Sequence, residues 1–371
     1  MKTTLHTLSR VATESAVSVD VLSDSGSLRA VMFDSEEIAG TRSRVFAYVA
    51  SPNQSTSTPL PAVVLVHGGG GRAFSEWATM WAQRGYLAVA VDLGGTNQDG
   101  RRHERSGPPQ DPISKFTAIT DGVEQTWMFH AVAAVMRAIS IAVATPGVDP
   151  SRVFLTGISW GSHVAQLVTA LDPRVRGAAF VYGAGFIDEN VEIGSPLSLL
   201  APQEALLWLH EFDQKNYLSQ ISVPTLWITG TRDPHYDLDL FGRSIELMKA
   251  PTAVRIIADF DHSHEAGWSP PEISAFFQEQ AGEAAALPRV REVERRGERL
   301  HATLDGAPAV NVQVHSTTDS GPWAQRRWNA HSGALHEESV VVDAPVDQPF
   351  ATVISVTDSR GLTASALFIS S

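Results

Sequence analysis

The sequence predicts an α/β protein with a doubly wound sheet, followed by a small all-β domain of the sandwich type. Two observations support this prediction. From residue 62 onward, short unbroken apolar runs alternate with longer helix-like stretches, which is typical of buried parallel strands joined by crossover helices. After about residue 285, the pattern changes to the alternation of half-buried strands. We therefore expect one domain at 1–285 and a second at 286–371.

Local patterns place the elements of the first domain. Two β-like segments predict a leading antiparallel hairpin at 28–33 and 43–50. The apolar runs predict buried strands at 62–67, 86–93, 152–158, 177–183, 225–230 and 253–259. The intervening stretches predict helices at about 74–84, 119–144, 161–171, 239–249 and 271–282. The stretch 184–220 is longer than an ordinary crossover and is a candidate for a partly helical cap over the site.

The second domain is predicted from alternating apolar residues in the segments AVNVQVHS, SVVVDAP, FATVISVTD and ALFIS. Turn signals separate them, for example at 319–321 and 358–361. This spacing predicts a small β-sandwich. Carbohydrate binding, dimerisation and bracing of the first domain are all open as its role, and a homo-oligomer is left open with them.

Composition excludes several classes of function. The 371 residues are 43 % hydrophobic and 19 % charged, which is ordinary for a folded globular protein. A formal net charge of −13 repels phosphate backbones and anionic headgroups, so we expect neither nucleic acid nor membrane as a partner. With no cysteine, disulfides, thiolate metal sites and a cysteine nucleophile are excluded. No apolar run has the length of a signal peptide or membrane span, which predicts a cytoplasmic protein, or a secreted one if a leader has been removed.

The strongest chemical motif is Gly157-Ile158-Ser159-Trp160-Gly161, the only Gly-x-Ser-x-Gly in the chain. It follows a predicted strand and precedes a predicted helix. A strand-to-helix turn this sharp strains the serine backbone and presents its hydroxyl at the carboxyl edge of the sheet, while glycines on either side relieve crowding. The motif therefore predicts Ser159 as a nucleophile.

A serine nucleophile needs a base, and the base needs a carboxylate to orient it. In folds built around this turn, the chain order is serine, acid, histidine. Asp233 fits the acid, because it comes just beyond the carboxyl end of the next-to-last predicted strand. Asp188 and Glu189, after the preceding strand, are the weaker alternative.

Two histidines compete for the role of base, since the last predicted strand leads into Phe260-Asp261-His262-Ser263-His264-Glu265. We favour His264, because its loop is long enough to swing back over the nucleophile. His262, which leaves a tighter turn, is the alternative. The His-x-His pair could also suggest a metal, but there is no cysteine and no third ligand at a recognisable spacing. We therefore expect neither a metal nor another cofactor.

A glycine run, His67-Gly68-Gly69-Gly70-Gly71, follows the first buried strand. Glycines let backbone N–H groups approach a ligand closely, so we expect Gly69 and Gly70 to provide half of an oxyanion hole. The N–H of Trp160, directly after the nucleophile, is expected to be the other half. No Gly-Lys-Ser/Thr follows the run, which argues against a phosphate loop.

Taken together, seven segments resemble one family: SRVFAYVASP, VLVHGGGG, AVDLGG, VDPSRVFLTGISWGS, VYGAGF, VPTLWITGTRDPHYDLD and DHSHEAGW. Over about 30–285, the chain resembles the acetyl xylan esterase branch of the α/β hydrolases, which is related to dienelactone hydrolases and prolyl-oligopeptidase-type domains. The resemblance implies an α/β-hydrolase sheet, a Ser159/Asp233/His264 triad and ester substrates, usually acetylated sugars. Ser263 and Glu265 stand where small residues are expected, which leaves the choice of base open.

These inferences predict a serine esterase that hydrolyses short-acyl esters of carbohydrate or small molecules through an acyl-enzyme. One alternative is a peptidase of the prolyl-oligopeptidase type, although neither end of the sequence shows a propeller-like β domain. Another is a non-catalytic binding protein on the same scaffold, with the β domain as its recognition module.

Overall fold

A computed structural model describes residues 3–14, 16–53 and 58–370, except the side chain at position 14. The chain divides into two compact units. The first consists of Met1–Val223 and Leu247–Ala250, and the second of Pro224–Glu246 and Pro251–Ser371.

The first unit is built around a mixed sheet. Its helices and strands are α1 (Thr4–Glu14), β1 (Val19–Asp24), β2 (Leu28–Ile38), β3 (Thr41–Ala50), β4 (Leu60–Val66), α2 (Ser75–Gln83), β5 (Leu87–Val91), α3 (Ser114–Thr117), α4 (Trp127–Ala144), β6 (Val148–Ile158), α5 (Trp160–Leu171), β7 (Gly177–Val181) and α6 (Pro202–Phe212). The strand order is β1-β2-β3-β5-β4-β6-β7. Strand β4 runs parallel to β5 and β6, and β6 parallel to β7. The carboxyl ends of β4 and β6 therefore lie at one edge of the sheet.

The core of this unit follows from the apolar runs. Strands β5 and β7 are buried along their whole length, as expected for parallel strands covered on both faces. Helix α4 is apolar on nearly all sides; among the described residues it alone has the length and hydropathy to cross a membrane, but 89 % of its 18-residue window is buried. Such burial is what a core helix shows.

The leading hairpin is confirmed, since β2 and β3 pair antiparallel. Helix α1, which the sequence analysis did not predict, precedes it. Its apolar face buries Leu5, Leu8 and Ala12, and the Ser9 hydroxyl donates to the carbonyl of Leu171 at 2.6 Å. The first helix of the chain is therefore part of the core of the first unit.

The second unit combines a pair of parallel strands with an all-β part. Its elements are β8 (Thr225–Gly230), α7 (Leu238–Glu246), β9 (Thr252–Ile257), α8 (His264–Trp268), α9 (Pro271–Gln280), β10 (Pro288–Arg296), β11 (Arg299–Gly306), β12 (Ala309–Thr317), β13 (Asn329–His331), β14 (Ala334–His336), β15 (Ser339–Asp343), β16 (Ala351–Asp358) and β17 (Thr363–Ile369). Strands β8 and β9 are parallel, so the loops that follow them leave from the same edge.

The all-β part confirms the predicted sandwich. Its strands form two antiparallel sheets, ordered β10-β11-β15-β14 and β13-β12-β16-β17. Side chains of both sheets share one apolar core, formed by Leu300, Ala302, Val314, Val340, Val342, Phe350, Ile354 and Val356. The predicted fold class, an α/β sheet with a small carboxyl-terminal all-β domain, is therefore confirmed.

The predicted domain boundary at 285/286 falls between α9 and β10, whereas the compact units divide at 223/224. The difference has a physical reason, because the sandwich is bonded to β9 and α9. Ile256 N–H donates to Ser365 Oγ at 3.1 Å, and Thr363 N–H donates to Glu272 Oε1 at 3.0 Å. The boundary at 285 stays a prediction.

Candidate active site

Ser159 lies in the predicted strand-to-helix turn. Strand β6 ends one residue before it and α5 begins one residue after it. Its backbone has φ 56° and ψ −119°, a left-handed conformation that costs a non-glycine residue about 1–3 kcal/mol. The strain is held by two backbone hydrogen bonds: Ser159 N–H donates to Val181 O at 2.8 Å, and Ser159 O accepts from His163 N–H at 3.0 Å. Such stored strain is characteristic of a nucleophile elbow.

Both glycines of the motif are required by close packing. A Cβ atom on Gly157 would overlap the carbonyl oxygen of Gly161. A Cβ atom on Gly161 would overlap the carbonyl oxygen of Val66, at the end of β4. Only glycine therefore fits at 157, where the turn packs on itself, and at 161, where the turn packs against the end of β4.

The glycine run begins at the same edge, directly after β4. His67 is buried, and its Nε2 accepts the N–H of Leu93 at 2.8 Å while its Nδ1 donates to Gly68 O at 2.7 Å. Burial also lowers the pKa of His67, so the imidazole is a neutral structural link between the ends of β4 and β5.

Gly69, one of the glycines predicted for the oxyanion hole, lies against the side chain of Trp160. A Cβ atom on Gly69 would lie 3.2 Å from Cδ1 of Trp160, so Gly69 packs against that indole. Gly70 has φ 67°, in the left-handed region that favours glycine. Trp160 is the first residue of α5, where backbone N–H groups lack intrahelical acceptors.

Aromatic rings surround Trp160. Its indole is stacked on His163 at 5.3 Å and meets Phe116 and Trp127 edge-on, each at 5.9 Å. His163 Nε2 donates to Phe212 O at 2.7 Å, and burial lowers the pKa of His163 to about 3, so this ring is neutral at physiological pH. Its role is structural.

The predicted cap segment reaches this group of rings. Residues 184–220 are partly helical and include α6. From α6, Trp208 stacks on Phe116 at 4.4 Å, and its Nε1 donates to the carbonyl of Lys115 at 3.0 Å. The segment therefore fixes α3 in place beside Trp160.

Asp233 follows β8 and is only 3 % exposed. Its Oδ1 accepts the backbone N–H groups of His235 at 2.8 Å and Tyr236 at 2.9 Å. Its Oδ2 lies 2.9 Å from Nδ1 of His262. Both oxygens of this carboxylate are therefore held, one by the backbone and the other by an imidazole.

His262 lies in the loop after β9, with its side chain 10 % exposed. Donation from Nδ1 to Asp233 selects the tautomer whose lone pair is on Nε2. Two rings flank the imidazole, that of His235 edge-on at 4.6 Å and that of Tyr236 stacked at 6.3 Å. The geometry is that of a histidine oriented by a carboxylate to act as a general base.

This pairing favours His262, the alternative, over His264. The loop that reaches Asp233 ends at His262, because a helix starts two residues later. Ser263 caps that helix by accepting the N–H of Ala266 at 3.1 Å, and His264 is its first residue. Asp188, the weaker candidate acid, forms an ion pair with Lys215 at 2.6 Å.

A contact from the sandwich reaches the loop that carries Asp233. Arg232 Nε donates to the carbonyl of Ala324, between β12 and β13, at 3.1 Å. The same guanidinium lies 3.3 Å from Oδ1 of Asp259, in the loop that leads to His262. Of the roles left open for the carboxyl-terminal domain, bracing is therefore the one that these contacts support.

The His262-x-His264 pair carries side chains that commonly bind metal ions. Within the described ranges, no group of three or more histidine and acidic side chains is arranged to hold an ion.

Sequence reasoning missed the residues that surround these groups. The position of His235, two residues after Asp233, was the only signal in the sequence for its contact with His262. Lys115 and Phe116 lie in no motif. Their proximity to Trp160 results from packing between distant segments, which no local pattern encodes.

The amino-terminal half of the chain is similar in sequence to known esterases. Residues 6–186 match the family model for acetyl xylan esterases. The acetyl esterase Axe7A of Xylanibacter ruminicola is 24 % identical over 206 residues, which cover 52 % of this chain and 46 % of that protein.

Two solved structures have the same fold. The acetyl xylan esterase from Paenibacillus sp. R4 superposes with a TM-score of 0.59 at 19 % identity, covering 74 % of this chain and 93 % of the other. Acetyl xylan esterase 1 from Thermoanaerobacterium sp. JW/SL YS485 gives 0.58 at 16 % identity, covering 74 % and 92 %. The predicted resemblance is therefore confirmed.

Proposed function

We propose that the protein is a serine esterase, on the premise that it has the fold of the α/β hydrolases and that its residues 6–186 match the family model for acetyl xylan esterases. The observation that carries the proposal is the 2.9 Å hydrogen bond between His262 and the buried carboxylate of Asp233. A carboxylate held by two amides and joined to Nδ1 of a histidine suits acyl transfer. The strained backbone of Ser159 supports the same conclusion.

In the proposed mechanism, Ser159 Oγ attacks the ester carbonyl while Nε2 of His262 takes the hydroxyl proton. The N–H of Trp160 and those of Gly69 and Gly70 stabilise the oxyanion that forms. His262 then gives its proton to the departing alcohol as the carbon–oxygen bond breaks, which leaves an acyl-enzyme. Water attacks this intermediate, with His262 again as base, and the acid leaves as Ser159 regains its proton. Asp233 remains ionised throughout and holds the imidazole.

The proposed substrates are short-acyl esters, acetyl esters above all, of carbohydrate or small molecules. Support comes from the family match and from the acetyl esterase Axe7A, whose matched region overlaps about half of this chain. A screen of acetylated oligosaccharides and of p-nitrophenyl esters of graded acyl length would rank these substrates by kcat/KM.

The direct test of the proposed function is Ser159→Ala, measured by p-nitrophenyl acetate turnover and by labelling with a fluorophosphonate probe. Both signals should disappear. Ser162→Ala is the matched control, because Ser162 is a fully buried serine in the first turn of α5 and should keep both signals. Turnover that survives Ser159→Ala in a folded protein would contradict the proposal. A wild-type protein that neither turns over nor labels would instead be a binding protein.

A further inference from the structure

Lys115 is a buried lysine that packs on Trp160, the residue directly after the proposed nucleophile. This lysine is 4 % exposed, and its Nζ lies 3.7 Å from the ring centroid of Trp160 and 5.6 Å from that of Trp127. Lysine is almost never buried to this degree unless it is paired. Contact with the two indoles compensates part of the lost hydration of the ammonium.

No carboxylate in the described part of the chain forms an ion pair with this ammonium. The negative charge of Asp111 raises the pKa of Lys115. The Asp111 side chain is solvated, however, and it accepts the N–H groups of Ile113 at 3.0 Å and Ser114 at 2.8 Å. Burial therefore outweighs Asp111 and lowers the pKa of Lys115 to about 7. On α5, His163 also faces the ammonium, but that ring is neutral.

Packing does not require the charge. The backbone of α3 is held by Trp208, whose Nε1 donates to Lys115 O, and by the stacking of Phe116 on the same indole. An apolar side chain at 115 would fill the space between the indoles without desolvating a cation. A costly charge in a position that apolar residues could fill is a reason to look for a functional role.

The indole beneath the ammonium belongs to the first residue of α5. The amino end of a helix carries about half a positive charge, so the ammonium and this helix end both contribute positive charge around Trp160. An anion bound near Trp160 would be attracted by both. The residue immediately before this helix end is Ser159.

We propose that Lys115 is an anion-binding residue of the active site, and that its ammonium stabilises negative charge on the ester at the amino end of α5. The inference rests on the proposed role of Ser159 as nucleophile. The anion has two potential sources, the oxyanion of the transition state and a carboxylate carried by the substrate. Either would place a negative charge next to the ammonium.

The test compares wild type, Lys115→Met and Lys115→Arg on p-nitrophenyl acetate, which is neutral, and on mono-p-nitrophenyl succinate, which carries a carboxylate. If the oxyanion is the source, Lys115→Met lowers kcat at least ~10-fold on both esters with little change in KM. If a substrate carboxylate is the source, Lys115→Met raises KM at least ~10-fold for the succinate alone. In both cases Lys115→Arg restores part of the loss. Values of kcat and KM within twofold of wild type on both esters overturn the proposal.

A pH profile provides a readout that a merely structural lysine would not affect. The Lys115 ammonium loses its proton as pH rises through its pKa of about 7. If the ammonium binds the oxyanion, wild-type kcat on p-nitrophenyl acetate should therefore fall above this pH. If it binds a substrate carboxylate, KM for the succinate ester should instead rise. Lys115→Met should show neither of these pH trends. If circular dichroism shows that Lys115→Met is unfolded, the wild-type pH profiles alone test the proposal. The proposal is overturned if neither kcat on the acetate nor KM for the succinate changes from pH 7 to pH 9 in the wild type. Loss of fluorophosphonate labelling in Ser159→Ala, measured in parallel, shows separately whether the proposed function stands.

Discussion

Nδ1 of His262 lies 2.9 Å from Oδ2 of Asp233, whose other oxygen accepts the N–H groups of His235 and Tyr236. The same two residues place their rings against the imidazole. One turn after β8 therefore fixes both the carboxylate and the ring that the carboxylate orients. This arrangement determines the first two predictions.

His262→Ala should lower kcat on p-nitrophenyl acetate by about 10³-fold or more, because it removes the base of the proposed mechanism. His264→Ala is the matched control and should stay within about tenfold of wild type, since His264 begins α8. Steady-state kinetics of the two folded variants decides between the histidines. The reverse ranking would make His264 the base.

Asp233→Asn should lower kcat by about 10⁴-fold, because an amide cannot hold His262 in the tautomer that accepts a proton on Nε2. Asp188→Asn is the comparison, and it breaks only a partly exposed ion pair with Lys215. Its kcat should remain near that of wild type. Equal losses in both variants would argue against Asp233 as the orienting acid.

Ser159→Gly should be more stable than Ser159→Ala by about 1 kcal/mol in the free energy of unfolding, because glycine adopts φ 56° without strain. Both variants lack the nucleophile and should be inactive. Urea unfolding followed by fluorescence measures the difference. Equal midpoints would show that the turn stores no strain at this position.

Gly161→Ala should lower the free energy of unfolding by about 3 kcal/mol or more, since the new methyl group would overlap the carbonyl of Val66. Gly321→Ala is the control, because a Cβ atom at Gly321 meets no atom within 4 Å. Thermal unfolding of the two variants should give a lower midpoint for Gly161→Ala alone. A soluble Gly161→Ala protein with an unchanged midpoint would contradict the packing of this turn.

Lys115→Met should stabilise the protein near neutral pH. Burial lowers the pKa of Lys115 to about 7 in the folded chain, against about 10.4 in an unfolded one, so the unfolded state binds more protons between these values. The contribution of this lysine to stability therefore rises from pH 7 to pH 10, on the order of 3 kcal/mol. Denaturant unfolding of both proteins across that range should show the variant's advantage shrinking as pH rises. A variant less stable than wild type at pH 7 would show that the ammonium is well compensated in the fold.

Much of the architecture could be predicted because its causes are local. The runs that become β4, β5, β7 and β8 are buried on both faces, so they appear in the sequence as unbroken apolar stretches. The turn at Ser159 was predictable for a related reason, since the glycines at 157 and 161 relieve crowding created by the turn itself.

The sequence by itself determined the fold class and the position of Ser159 in a turn between a strand and a helix, and it led to the proposed order of serine, acid and histidine. Only the tertiary structure decided which histidine meets Asp233, because that depends on where α8 begins, and a cap at Ser263 places its start after His262. It alone also revealed the buried ammonium of Lys115 over Trp160, since the burial comes from indoles on α4, α5 and α6. Local patterns record which residues are apolar, but which side chains meet depends on packing between segments far apart in the chain.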